Sequence, residues 1–168
     1  GRIYRLKFEN NQQLQVDLAD ASPSKLIEAL GHDNMFWRLT AQRFLVDGKN
    51  EQVIPSLRKL LTGPSPASLH ALWTLHGFGE LDEESHGRSL ISPDPALRRN
   101  AIRAIPHNVA GQKMLYDSAV LADEELLVRL DAFVKLASFQ PDDGIRKTAS
   151  LLMKNEQNSK DEWLRLPL

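Results

Sequence analysis

With 168 residues, 42% of them hydrophobic and 26% charged, the chain is long enough to build one ordinary core without a metal or a disulfide to hold it. A net charge of −1 supplies no broad field for nucleic acid or for an anionic membrane surface. The absence of Cys removes disulfides, thiolate nucleophiles, Cys-ligated zinc and CxxCH haem attachment, and no apolar run approaches the roughly 20 residues that span a bilayer.

Residues 1–20 read as a β segment. Tyr4, Leu6 and Phe8 alternate with Arg5 and Lys7, Asn10-Asn11 is turn chemistry, and Leu14-Gln15-Val16-Asp17-Leu18 alternates again. Two strands are marginal alone in water, so the segment is expected to be the end of a preceding β domain. The start at Gly1-Arg2-Ile3-Tyr4, without Met or a signal-peptide pattern, is expected of a piece cut from a longer protein.

Residues 21–168 read as helical. Ser22-Pro23 opens a first helix, with Ser as N-cap and Pro in the first turn, and Gly31 closes it. Asp33 or Asn34 caps a second, through Val46 to a stop at Gly48. Further helices are expected over 51–61, 66–78, 83–91, 95–105, 110–121, 123–139 and 143–155, with one more turn over 160–164. Pro64, Pro66, Pro106 and Pro141 fall between them, where a missing donor does least harm. The short connections make successive helices antiparallel neighbours.

Every second helix carries one cadence. Trp37, Ala67, Leu97 and Val128 form a column; Ala41, Ala71, Ala101 and Ala132 form another; Leu45, Leu75, Ile105 and Leu136 form a third. The Ala column recurs at intervals of 30, 30 and 31 residues, a period expected of stacked helical units. A methyl group there lets helix axes approach at the short end of the usual range of about 8–10 Å. Arg38, Ser68, Arg98 and Arg129 form a polar column beside it. Asp33 and Asp94 precede two of these arginines, so the column is expected to pair each Arg with the Asp of its own or the next unit. An anion-binding strip is the functional alternative, interrupted at Ser68.

The candidate binding residues are Arg43, His70, Trp73, Asn100, Arg103 and Asp131. Thr40, His70, Asn100 and Asp131 share a column, and Arg43, Trp73, Arg103 and Val134 lie three positions on, hence beside it on the helix face. Stacked units would line both columns along one inner curve, where helical repeats bind their partners. A Trp flanked by two Arg is a combination enriched at binding hot spots. The competing structural role for Trp73 is half-burial between repeats under Arg stems.

Catalytic and metal chemistry find little footing. His70 and His76 are six apart and diverge by about 120° on a helix, where a helical metal site wants ligands at i and i+4. Asp82-Glu83-Glu84 and Asp123-Glu124-Glu125 lie at helix starts, where acids stabilise the dipole. Gly77-Phe78-Gly79 reads as a helix stop instead of a phosphate cradle. No cofactor and no nucleic-acid partner is expected.

The pair of helices with Asp, Arg and Ala in these places resembles the short, phycobilisome-lyase-like HEAT repeat. The match covers Asp33–Ala41, Asp94–Ala101 and Asp123–Ala132, with a degenerate copy at Ala67–Ala71. Ile145-Arg146-Lys147-Thr148-Ala149 repeats the cadence only 17 positions after Ala132, as the first helix of an incomplete unit would. Gly1–Leu6 resembles the closing strand of a sugar-dehydrogenase-like propeller. Together with Trp37–Arg43, His70–Gly77 and Pro93–Arg103 it resembles multidomain bacterial proteins in which a propeller precedes HEAT repeats and a c-type cytochrome domain. That resemblance implies a right-handed all-α solenoid outside the cytoplasm. It would act as a non-catalytic scaffold holding a protein partner or the neighbouring domains of a haem-containing dehydrogenase. The family's catalytic and haem residues have no counterpart in this chain. A free-standing peptide- or protein-binding HEAT adaptor is the alternative. A cofactor lyase or chaperone ranks last, for want of an acid–base pair.

Overall fold

The computed structural model describes residues 16–63 and 65–167. They contain eleven α-helices, two 3-10 turns and no strand. The expected strands of residues 1–15 lie outside the described residues; Val16–Leu18 are not a strand, and Leu18 is buried against the helices.

The helices begin where short polar side chains can satisfy free N–H groups. Ser22 caps α1 (Pro23–Ala29) and Asn34, not Asp33, caps α2 (Met35–Gly48). A 3-10 turn, Glu51–Val53, leads into α3 (Ile54–Leu60), because Pro55 withholds the N–H that would make it one helix. α4 (Ala67–Phe78) contains Gly77 and stops at Gly79. There φ is +75°, Glu80 N donates to Leu75 O at 2.9 Å and Gly79 N to His76 O at 3.0 Å, a glycine-terminated helix end. Gly77 stays helical because Val46 of α2 packs on it; a Cβ there would lie 3.0 Å from a Val46 methyl. The expected stop at Gly48 falls one residue late, on Lys49, which takes the left-handed conformation.

Asp82 caps α5 (Glu83–Leu90), Asp94 caps α6 (Pro95–Ala104) and Asn108 caps α7 (Val109–Asp117). The helix expected over 110–121 is thereby two pieces. Ser118 turns extended, its Oγ donating to Leu115 O, and a 3-10 turn over Ala119–Ala122 follows. The helix expected from Asp123 begins at α8 (Leu126–Ala137), after a turn in which the Asp123 carboxylate accepts from both Glu125 N and Arg98. Asp142 caps α9 (Asp143–Lys154), and the polar stretch after it folds into α10 (Glu156–Lys160) and α11 (Glu162–Arg165), capped by Asn155 and Asp161. Asn158 is buried there, its Nδ2 donating to Leu152 O at 3.0 Å.

α2 packs on α4, α4 on α6 and α6 on α8, while α1, α3, α5 and α7 each back one of them. The seam is the predicted one. Ala41, Ala71, Ala101 and Ala132 are all fully buried, and Leu45, Leu75, Ile105 and Leu136 form the next buried layer. The first column divides: Leu97 and Val128 are buried, whereas Trp37 and Ala67 are partly exposed.

Candidate functional site

Buried alanines bring the polar columns of four helices into register, so side chains some 30 residues apart meet. Trp73 of α4 donates from Nε1 to Asn100 Oδ1 on α6 at 2.8 Å, and Asn100 Nδ2 donates back to Ala96 O of its own helix. Asp131 of α8 accepts from two arginines of α6: Arg99 Nε at 2.6 Å and Arg103 Nη2 at 3.1 Å. At the other end, His70 of α4 has its Nδ1 2.7 Å from Gln42 Oε1 and receives Arg38 Nε on its Nε2 at 3.2 Å, both partners on α2. Accepting from a guanidinium requires a bare Nε2, so the proton sits on Nδ1. Burial, then the Arg38 charge, lowers the His70 pKa and keeps the ring neutral.

Of the six predicted residues, Trp73 with Asn100 and Arg103 with Asp131 thus form two separate pairs between neighbouring helices, and His70 is tied to α2 through Arg38 and Gln42. Arg43 joins none of these contacts; it is exposed and lies over the Phe44 ring at 5.2 Å. Trp73 is half-buried, with its edge against the His76 ring. The Arg103 side chain is half exposed. Arg43 is thus exposed, Trp73 stays partly exposed, and the Arg103 guanidinium is half exposed even though it is bonded to Asp131.

The expected Asp–Arg ladder is realised at one rung. Arg98 grips Asp123 with two hydrogen bonds, Nε at 2.7 Å and Nη2 at 2.8 Å, both side chains nearly buried. That contact holds the guanidinium proton more tightly than usual. Arg98 does not meet Asp94; Asp94 turns to cap its own helix and accepts from Ser65. What does repeat is a bond to the preceding turn. Arg38 Nη1 donates to the carbonyls of His32 and Asp33, Arg98 Nη1 to those of Ser92 and Pro93, and Arg129 Nη1 to those of Asp123 and Glu124. The donor lies six and five residues after its acceptors each time. The column therefore staples each turn to the helix that follows it.

Two buried groups escape the sequence reading. Pro106 has no N–H for Ile102 O, so Ile105 N bonds that carbonyl at 3.2 Å and leaves Ala101 O free. His86 of α5, almost fully buried, fills the vacancy with its Nε2 at 2.7 Å. Its pKa is lowered by burial, with the His76 and Lys135 charges adding to the effect. Lys135 of α8, also buried, donates to Ile105 O at 2.8 Å, at the negative end of α6, and burial lowers its pKa as well. Lys135 shares a register with Thr74 and Ala104, both buried; extending the columns by that one position exposes the anomaly of a lysine in a core layer. His86 leaves no comparable trace, because its polar neighbours in α5 hide its burial.

Among known proteins, no family model matches the chain and no curated protein gives a significant match. Among the described residues, no helix is long and apolar enough to cross a membrane.

Proposed function

We propose that the chain is a HEAT-like α-solenoid that serves as a non-catalytic docking scaffold, presenting the Trp73 row to a protein partner or to neighbouring domains of its own chain. One observation carries the reading: the hydrogen bond to Asn100 fixes Trp73 half-exposed, at the same register as the outward Arg43 and Arg103 on the adjacent helices. A rigid aromatic anchor between cationic rims is pre-organised for association, because little freedom is left to lose on binding. The fully buried Ala column supports the solenoid, since it joins α2, α4, α6 and α8 by one repeated contact. The resemblance to propeller, HEAT and cytochrome proteins supports an extracytoplasmic setting within a haem-containing dehydrogenase.

The chain has no Cys, so single cysteines carrying a photo-crosslinker can be placed at will. Labels at Arg43 and Arg103 are expected to give one shared protein adduct in the source cell, and a label at Gln52 none. Equal labelling from both faces would remove the docking reading. An adduct with a protein that carries neither propeller nor haem would remove the dehydrogenase setting while keeping the dock.

A further inference from the structure

Arg38, Arg98 and Arg129 occupy one register, and in each Nη1 is spent on the turn behind. The opposite edge of the guanidinium, Nε with Nη2, is free to reach forward. Arg98 lays that edge on the Asp123 carboxylate, and Arg38 uses its Nε on His70. Arg129 does neither. Its Nε is buried without a hydrogen-bond partner, and among the described residues its hydrogen bonds run through Nη1 alone.

Arg129 lines a cavity of about 590 Å³, within the size range of ligand clefts. It is walled by the turn before α8, by Thr148, Leu151 and Leu152 of α9, and by Asn155 and Asn158 at α10. Asp123 and Glu124 also border it, but the Asp123 carboxylate is neutralised by Arg98. A buried Nε–H that has lost water and gained no acceptor, with Nη2 beside it, is matched by a planar, two-oxygen anion.

We propose that the Nε–Nη2 edge of Arg129 is a carboxylate-binding site, and that its ligand is an Asp side chain presented at a turn of a partner protein. The precedent is internal: Asp123, in the turn before α8, is what the same edge of Arg98 holds. The proposal rests on the docking reading and names a second point of contact, at the opposite end of the helix row from Arg43.

The test reads the arginine Nε–Hε cross-peaks of the unsubstituted, ¹⁵N-labelled protein, so it does not depend on a variant folding; Arg129→Lys serves only to assign one peak. Titration with N-acetyl-aspartate N-methylamide is expected to move the Arg129 peak saturably, with a dissociation constant on the order of 1–10 mM, while the Arg98 peak stays. The asparagine analogue is expected to move neither. No movement at about 50 mM ligand, or equal movement with the asparagine analogue, overturns the carboxylate site. Succinate binding about tenfold more tightly than the capped aspartate would make the site one for a free acid and overturn the partner's Asp. Because the crosslinks report on the Trp73 row and the cross-peak on Arg129, either idea can fail while the other stands.

Discussion

The junction between α6 and α8 and the end of the chain beyond α8 use the same kinds of residue to different effect. At the junction Ala101 and Ala132 are fully buried, Arg98 holds Asp123 in two hydrogen bonds, and Lys135 reaches back to Ile105 O. Beyond α8, Ala149 is partly exposed, Ile145 is the one buried residue of α9, Leu151 is exposed, and Arg129 Nε has no partner among the described residues. α9 has the cadence of the repeat, Ile145-Arg146-Lys147-Thr148-Ala149, yet among the described residues the helix it packs on most is α10. A repeated pattern stabilises only where the next copy arrives to complete it.

The sharpest break should come at the corner joining α6 to α7. A Cβ on Gly111 would sit 1.9 Å from Pro106 O, which is backbone and cannot swing aside. Gly111→Ala is expected to cost about 4 kcal/mol or more in urea unfolding. At the chain's end, a Cβ on Gly144 meets side chains alone, Asp142 at 3.2 Å and the Tyr116 hydroxyl at 3.9 Å, and Gly144→Ala should cost far less. Equal losses would mean that the corner is looser than its contacts.

Next in size is the ion pair. Arg98→Met strands the nearly buried Asp123 carboxylate and is expected to cost about 3 kcal/mol. Arg129→Met, which strands no charge, should cost about 1 kcal/mol. A double substitution of Arg98 and Asp123 to apolar residues should recover much of the first loss; without recovery, the two are not coupled.

Ala101→Leu should cost about 2 kcal/mol by forcing α6 off its neighbours, whereas Ala149→Leu on the partly exposed face of α9 should change stability by less than about 0.5 kcal/mol. A large effect at Ala149 would give α9 a packed neighbour that the comparison denies it.

The smallest effect is set by pH. His70 and His86 have folded pKa values below the ordinary 6.5, so the unfolded chain takes up protons that the folded one refuses as the pH falls through 6.5. Their contribution is present above that pH and is lost below it. The urea midpoint is therefore expected to drop between pH 7 and pH 5, and more shallowly in His86→Gln. Lys135, lowered from 10.5, acts in the same sense at the alkaline end, with stability rising as the pH approaches that value. A midpoint that climbs on acidification would place the two rings in water.

Periodicity alone determined the helices and the buried faces of α2, α4, α6 and α8, because an interval of about 30 residues with Ala at its centre has few packing solutions. Capping chemistry located helix starts, as at Ser22 and Asn34, since those signals act within one turn. It started α8 at Asp123, whose carboxylate instead accepts from both Glu125 N and Arg98 in the turn before the helix. The row from His70 to Asp131 was legible as columns, whereas its bonds were not: which atom meets which depends on the offset between neighbouring helices. Only the tertiary structure decided that Arg98 skips Asp94, that Pro106 frees a carbonyl for His86, and that Arg129 meets no acid among the described residues. Each of those outcomes turns on sub-ångström distances between segments far apart in the chain, and local sequence carries no measure of them.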